Sequence, residues 1–224
     1  LDYGLDLYAP QSTTDEDGNR VVIAWMRMPQ AVDGKWNGMM CIPRVVSVKN
    51  DRIYFRPHPH IQNAFTKEIS SPEQAGKSGY LVKTSLKNGE CINIGGYRIW
   101  REQDKLFTDR SAVFVKDGKY RLTAETPVLR DGCELEIYVD SNLIEVYANQ
   151  GEAVISSESG STPQNPADKN QTPPRRQDMP AHVPENCRHR PSGKTGRPEY
   201  TPARGGLVPA KNPAGTPAVS VAVT

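Results

Sequence analysis

The sequence lacks the features that mark several large classes of protein. It contains no run of 18 apolar residues, so no segment is predicted to span a membrane and no membrane partner is expected. Its charge is nearly balanced, with 28 Lys and Arg against 26 Asp and Glu in 224 residues, which argues against a nucleic-acid partner. The chain opens at Leu1 with no basic segment followed by an apolar one, so we expect no signal peptide and a chain that starts inside a longer protein.

Cysteine is also scarce. The four residues, Cys41, Cys91, Cys133 and Cys187, are widely separated, and none belongs to a C-x-x-C pair or to a Cys/His cluster with zinc spacing. We therefore predict scattered reduced thiols, which favours a cytoplasmic, reducing compartment over a secreted protein with disulfides. No cofactor and no metal site is predicted.

The composition changes near Ser157. Residues 158–224 hold 12 of the 19 prolines and a single aromatic residue, Tyr200, with no Ile and no Phe. Folding a segment costs roughly 1–2 kcal/mol per ordered residue, and this stretch has little apolar area to offset that cost. The sequence therefore predicts a disordered tail over 158–224 and a globular part over 1–157.

The globular part consists of short β-rich runs separated by turn signals. Residues 15–19 join two such runs as in a hairpin, and alternation over 134–139 and 143–147 indicates strands with one solvated face. The later predicted strands are 79–85, 92–100, 105–109, 112–115, 120–126, 134–139, 143–148 and 153–156. With 59–67 as the helical candidate, the pattern predicts an all-β fold, either an antiparallel sandwich or a propeller.

Two sequence clusters, near the two ends of the globular part, are specific enough to compare with known families. The first is D-Y-G-L-D-L-Y-A-P-Q at 2–11, followed by I-A-W-M at 23–26 and W-N-G-M-M-C-I-P-R at 36–44. The second is V-D-S-N-L-I-E-V-Y-A-N-Q-G-E-A at 139–153. In order and spacing, the first resembles the last propeller segment of glycoside hydrolase family 32, and the second resembles a strand pair near the end of that family's C-terminal sandwich.

The resemblance implies a five-bladed β-propeller that carries the active site, followed by a two-sheet β-sandwich. Residues 1–48 would be the end of the propeller, 49–157 a sandwich clipped before its final hairpin and strand, and 158–224 a tail without family likeness. The resemblance also implies a retaining hydrolase of β-fructofuranosides, with sucrose, sucrose 6-phosphate or a fructan as the substrate of the intact enzyme.

The family's nucleophile motif (W-x-N-D-P-N-G), its R-D-P motif and its E-C acid/base motif precede the segment at which this chain opens. Retaining glycosidases need two carboxyl groups about 5–5.5 Å apart. The dipeptide Glu90-Cys91 is an E-C, but it follows that segment instead of preceding it. We therefore expect the reacting carboxylates to be encoded ahead of Leu1 and the 224-residue chain to be inactive alone.

Four residues are candidate substrate contacts: Asp2, Asp6, Tyr8 and Trp36. A carboxylate can accept hydrogen bonds from sugar hydroxyls, and an aromatic ring can stack on the C–H face of a sugar. Turn capping is the alternative for the two aspartates, and packing in the core is the alternative for the two aromatic residues. Trp25 is interpreted as a core residue.

Other polar residues are given structural roles. Arg44 is predicted to form an ion pair at the junction of propeller and sandwich, because its guanidinium suits a carboxylate partner. His58 and His60 could suggest a metal pair, but the prolines beside them favour a linker. Glu145 and Asp140 are interpreted as structural carboxylates of one hairpin.

Two further hypotheses come from other functional classes. In one, the sandwich is a module that binds carbohydrate or a partner chain without catalysis, and the exposed propeller edge favours homo-oligomers. In the other, the chain is a fragment with no role of its own.

Overall fold

The computed structural model describes residues 1–28, 35, 37–70, 72–75, 78–114, 120–159 and 219–224. Within these ranges the chain is almost entirely β-structure, which confirms the all-β prediction. The strands are β1 (Leu7–Thr14), β2 (Arg20–Met26), β3 (Met39–Met40), β4 (Arg44–Lys49), β5 (Arg52–Pro57), β6 (Lys67–Ile69), β7 (Tyr80–Ser85), β8 (Cys91–Ile94), β9 (Tyr97–Glu102), β10 (Lys105–Asp109), β11 (Thr123–Glu125), β12 (Glu134–Val139), β13 (Leu143–Ala148), β14 (Ala153–Glu158) and β15 (Ser220–Val223).

Within the described ranges, helix is confined to short pieces. One α-helix, α1 (Pro59–Gln62), covers the first half of the predicted 59–67 segment, and two 3₁₀ turns lie at Pro72–Ala75 and Asn149–Gly151. None of the helices in the described part of the chain has the length and apolar composition needed to cross a membrane.

The first sheet is antiparallel, with strand order β1-β2-β4-β5, and the short β3 pairs with the end of β2. Met26 and Ala24 of β2 point to the same face, where they pack with Cys41 and with Leu143 of β13. This sheet is therefore tied to the rest of the molecule through its apolar face. The β4–β5 hairpin crosses residue 48, so the sheet continues to Pro57.

Two further sheets form a sandwich. One has strand order β11-β10-β9-β8 and the other has strand order β14-β13-β12-β7-β15-β6. A shared apolar core lies between them, in which Ile99 and Leu106 from the first pack with Ile137, Val146 and Ile155 from the second. All five side chains are fully buried, as expected for the inner faces of a sandwich.

Several predicted strands differ from the structure. The run at 92–100 forms β8 and β9, because Gly95 and Gly96 adopt φ of 58° and 106° and turn the chain back in a two-residue hairpin. Residues 112–114 form a turn instead of a strand. The prediction of a solvated face for β13 is also wrong, since all six of its residues are buried.

Part of the segment predicted as a disordered tail forms β-structure. Glu158 belongs to β14, and Ser220–Val223 form β15, which lies between β7 and β6 in antiparallel pairing with both. Val221 and Val223 are each only 6% exposed. The predicted disorder is therefore wrong for Glu158 and for Ser220–Val223, which contribute strands to the sandwich. The predictions for 160–218 lie outside the described residues.

Candidate functional site

The N-terminal segment joins the sandwich to the first sheet. The Tyr3 N–H donates to the Val154 carbonyl at 2.8 Å and the Leu5 N–H donates to the Ser156 carbonyl at 3.3 Å, so this segment extends the β14 edge before it enters β1. At Gly4 an added Cβ would lie 1.9 Å from the Ser156 carbonyl oxygen. The close backbone approach therefore requires glycine at this position.

The first sheet and the sandwich are the two units of the structure. Arg44, at the start of β4, is fully buried where they meet. Its five N–H groups have acceptors: Nε donates to Tyr147 Oη at 3.2 Å, Nη1 to Asp2 Oδ2 at 2.7 Å and the Leu1 carbonyl at 3.3 Å, and Nη2 to Glu145 Oε2 at 2.9 Å and Ser156 Oγ at 2.5 Å. A buried guanidinium is tolerated when all its donors are satisfied in this way. The ion pair predicted for Arg44 at the junction is confirmed.

The same network satisfies the acidic side chains around Arg44. Glu145 Oε1 accepts from the Ile42 N–H at 2.7 Å, and Glu145 Oε2 accepts from the Tyr147 hydroxyl at 2.5 Å. Burial alone would lower the pKa of the Arg44 guanidinium, but the Tyr147 hydroxyl and the two carboxylates beside it raise that pKa above its ordinary value. Burial, together with the nearby Glu145 carboxylate, raises the pKa of the Tyr147 hydroxyl. The Arg44 guanidinium is thus held charged and the Tyr147 phenol neutral.

A second buried ion pair joins an arginine of the sandwich to an aspartate of the N-terminal segment. Arg110, which follows β10, donates through Nη1 to Asp6 Oδ2 at 2.5 Å and through Nη2 to Asp6 Oδ1 at 3.1 Å. Its remaining N–H groups donate to the carbonyls of Arg121 and Glu158, and its guanidinium lies 3.6 Å from the centre of the Phe114 ring. The Glu158 N–H donates to Asp6 Oδ2 at 2.8 Å.

These contacts place two of the four candidate substrate residues at the junction. The oxygens of Asp2 accept from Arg44, Ser156 and the Gly4 N–H, and those of Asp6 accept from Arg110 and Glu158. Both carboxylates therefore already accept hydrogen bonds from groups of the protein itself. Contact between either aspartate and a sugar stays a prediction, and Trp36 lies outside the described residues.

Tyr8, the fourth candidate, lies on a surface that sequence reasoning only partly anticipated. Tyr8 is 55% exposed, and its ring meets that of Trp25, directly opposite on β2, edge to face at 6.1 Å between ring centroids. The Arg27 guanidinium lies 5.3 Å from the centre of the Tyr8 ring. We call these three residues the aromatic platform. Trp25 is 37% exposed, so its interpretation as core is wrong. The signal for this was the buried Ala24 and Met26 on either side of it in an alternating strand.

A β-bulge directly follows Tyr8. The register passes from Tyr8–Trp25 to Gln11–Ile23, so Ala9 and Pro10 oppose a single residue of β2. Ala9 adopts φ of 47°, in the left-handed region. Bulges bend a strand and redirect its side chains, and proteins often place them near binding sites.

Trp25 is also fixed from the other side by the connection between β2 and β4. Gly38 has φ of 98°, and an added Cβ there would lie 1.6 Å from Trp25 Nε1. Because no larger residue fits, the backbone at Gly38 packs directly on the indole. The platform is therefore built by β1, β2 and this connection, at the end of the sheet where β1 begins.

The histidines do not form a metal centre in the described part of the chain, where no group of three or more suitable ligands occurs. His58 instead contacts Asp15 at 3.0 Å between Nε2 and Oδ2, and its Nδ1 accepts from the His60 N–H at the start of α1. The hydrogen bonds from Asn19 and His58 lower the pKa of Asp15 to about 2.

Among the cysteines, Cys41 and Cys133 are free and buried, and burial raises the pKa of each thiol to about 11. Cys91 is disulfide-bonded, so the prediction that all thiols are reduced is wrong for this residue. The cellular compartment stays a prediction.

Comparison with known proteins gives consistent family matches. The family model for the glycosyl hydrolases family 32 N-terminal domain matches residues 1–57, and the model for the family 32 C terminal matches residues 47–167. A sucrose-6-phosphate hydrolase of Vibrio alginolyticus is 28% identical over 175 residues, which cover 70% of this chain and 35% of that protein. A sucrose-6-phosphate hydrolase of Escherichia coli is 29% identical over 181 residues, with 70% and 37% covered. The chain thus spans about a third of the length of these curated relatives.

Solved structures show the same fold. The sucrose-6-phosphate hydrolase of Lactobacillus gasseri is 24% identical with a TM-score of 0.62, and the match covers 72% of this chain and 38% of that one. The fructan 1-exohydrolase IIa of Cichorium intybus is 16% identical with a TM-score of 0.54, and the match covers 70% and 42%. These likenesses confirm the predicted architecture, in which the last part of a β-propeller is followed by a β-sandwich.

Proposed function

Because the chain belongs to glycoside hydrolase family 32, we propose that it forms the last propeller blade and the sandwich of a retaining hydrolase that acts on β-fructofuranosides. The observation that carries this proposal is the pair of consecutive family models over 1–57 and 47–167. Sucrose, sucrose 6-phosphate and fructans are the proposed substrates, since the matched relatives are named as sucrose-6-phosphate hydrolases and one as a raffinose invertase.

We assign substrate contact to the aromatic platform. Tyr8 and Trp25 present exposed ring surface on which the C–H face of a sugar can stack, and Arg27 beside them supplies N–H donors for hydroxyl or phosphate oxygens. Asp2 and Asp6 support the platform from behind, because their ion pairs fix the segment that leads into β1. Trp36 follows β2 in the sequence and lies outside the described residues, and its contact with the substrate is proposed from the sequence alone.

We further propose that the reacting carboxylates are not among these 224 residues. Four buried acidic side chains in the described ranges pair with arginines: Asp2 and Glu145 with Arg44, Asp6 with Arg110, and Asp109 with Arg98. Glu158, which is also buried, has a partner as well. Glu90, of the Glu90-Cys91 dipeptide, accepts from the Lys87 N–H within a turn. A retaining mechanism needs a free carboxylate facing an acid across the sugar, and these contacts do not supply one.

Two measurements test the proposal. The purified 224-residue chain is incubated with sucrose, sucrose 6-phosphate and inulin, and we expect no release of fructose. Rapid release would show that the chain contains its own catalytic carboxylates. A chimera then joins the preceding two-thirds of the Escherichia coli sucrose-6-phosphate hydrolase to this chain at Leu1. We expect this chimera to release fructose.

The chimera also tests the platform. Trp25→Ala and Tyr8→Ala should each raise KM by about tenfold, as expected for the loss of roughly 1.4 kcal/mol of stacking. The matched control is Ile53→Ala, an exposed apolar side chain of β5. A chimera that elutes as a folded protein but releases no fructose would count against the proposed function, and equal KM values for all variants would count against the platform.

A further inference from the structure

The last strand of the sandwich is separated from the rest of its sheet by a long stretch of chain. β14 ends at Glu158 and β15 begins at Ser220, so 61 residues intervene in the sequence. In the sheet, the two strands are separated by β13, β12 and β7, a distance of about 19 Å at 4.8 Å per strand step.

β15 fills a gap between two strands that do not pair with each other in the described structure. Val221 lies opposite Ile69 on one side and Val82 on the other, and the pairing is antiparallel on both sides. The Thr66 N–H donates to the Val223 carbonyl at 3.1 Å. We call the gap between β6 and β7 the acceptor slot. It offers main-chain hydrogen bonds along both edges of an inserted strand.

The side chains of β15 show which residues an inserted strand needs. Val221 and Val223 point inward and are 6% exposed, and Val221 joins the sandwich core beside the partly buried Ile69. Ser220 is exposed and Ala222 is half-buried on the opposite face. The slot therefore fits an extended segment with apolar β-branched residues two positions apart, which is how proteins recognise peptides by strand addition.

The pairing of β6 depends on whether a strand occupies the slot. β6 pairs only with β15 among the described strands, so β6 has no sheet partner when the slot is empty. β6 lies in the segment that leads from the first sheet through α1 into the sandwich. A strand in the slot thus fastens the connection between the two units.

We infer that the acceptor slot is a peptide-binding site of the strand-addition type and that Ser220–Val223 is its ligand, tethered to the protein as an exchangeable strand. In the structure this strand comes from the same chain, and we assign it as the occupant of the slot. Main-chain bonds along four residues and two buried valines give modest affinity, so the tether, which raises the local concentration of the strand, keeps the slot filled.

The test uses the full chain with a specific protease site inserted between Gly205 and Gly206, so that the protein folds before it is cut. Hydrogen exchange is measured at the β6 and β7 amides before and after cutting, at about 1 μM protein, where an untethered strand of this size should dissociate. We expect exchange at Lys67–Ile69 to accelerate by at least about tenfold after the cut, since these amides lose their partner strand.

A synthetic peptide of residues 217–224 is then added back to the cut protein. We expect saturable recovery of protection, and no recovery with the matched peptide carrying Val221→Asp and Val223→Asp, which would bury charge in the core. Unchanged exchange after cutting and removal of the released fragment would overturn the inference. Loss of protection that the native peptide does not restore would also overturn it.

Measurements on the uncut protein at several concentrations show whether the strand comes from the same chain or from a second copy. If the chain's own end fills the slot, exchange at β6 does not depend on protein concentration and the mass in light scattering is that of a monomer. If a second copy supplies the strand, protection falls on dilution together with the mass of the complex. The first result supports the inference and the second overturns its assignment of the occupant; neither readout depends on glycosidase activity.

Discussion

Asp6 and Arg110 lie 104 residues apart in the sequence, yet they form a buried ion pair with two hydrogen bonds that joins the N-terminal segment to the sandwich. Arg44 forms the reciprocal connection, since it starts in the first sheet and reaches Glu145 in the sandwich. The two arginines thus fasten the junction from opposite sides. Each is surrounded by acceptors, so the contacts specify one relative placement of the two units.

The coupling between Asp6 and Arg110 can be measured with a double-mutant cycle. We expect Asp6→Ala and Arg110→Ala to show an interaction free energy above about 1.5 kcal/mol, because both side chains are buried and share two hydrogen bonds. The control pair is Lys83 and Glu136, which are partly exposed and should couple by less than about 0.5 kcal/mol. Urea unfolding of the four proteins in each cycle gives the values. Additive effects at Asp6 and Arg110 would contradict the prediction.

Removal of the Arg44 charge should be strongly destabilising. Arg44→Met leaves the Asp2 and Glu145 carboxylates buried without their cation, and such losses cost about 3–5 kcal/mol. Arg52→Met serves as the control, because Arg52 is partly exposed and 3.9 Å from Glu152; its effect should stay within about 0.5 kcal/mol. The free energy of unfolding from urea titration checks both. A cost below about 1 kcal/mol for Arg44→Met would show that water reaches the carboxylates.

The sequence predicts these features to different extents. The alternation in 134–139 predicts β12 correctly because side-chain periodicity is a local property of a strand. The same reasoning predicts a solvated face for β13, which is buried because a distant segment, the first sheet, packs on it. Burial of a second face depends on tertiary contacts, and a local pattern does not contain them.

The same distinction applies to the site. An ion pair was expected for Arg44 from its chemistry and position, but its partners Asp2 and Glu145 could not be identified, since they lie 42 residues before it and 101 after it. The strand at Ser220–Val223 was missed for a different reason. Averaging the composition over 158–224 concealed the Ser-Val-Ala-Val alternation that marks a short strand.

Replacement of Ala9 by glycine should stabilise the protein. Ala9 holds φ of 47°, where an L-residue with a Cβ is disfavoured by roughly 1 kcal/mol, and glycine adopts this conformation freely. Glycine also costs about 0.5 kcal/mol through the greater entropy of the unfolded chain, so we expect Ala9→Gly to raise the free energy of unfolding by about 0.5 kcal/mol. In the control, Ala64→Gly at an exposed position without positive φ should lower it by about 0.5 kcal/mol. Destabilisation by Ala9→Gly would mean that the alanine methyl packs favourably in the bulge.

The free thiols of Cys41 and Cys133 should resist alkylation in the folded protein. Both are buried, and burial raises the pKa of each thiol to about 11, so little of the reactive thiolate is present at pH 8. With iodoacetamide at that pH, mass spectrometry of the digested protein should find both residues unmodified in the native state and modified in urea. The rate in the native state should rise about tenfold per pH unit as the pH approaches the pKa. Ser12→Cys, on the exposed β1, supplies the matched control and should react at the rate of a free thiol. Alkylation of Cys41 as fast as this control would show that the face joining the first sheet to the sandwich opens readily.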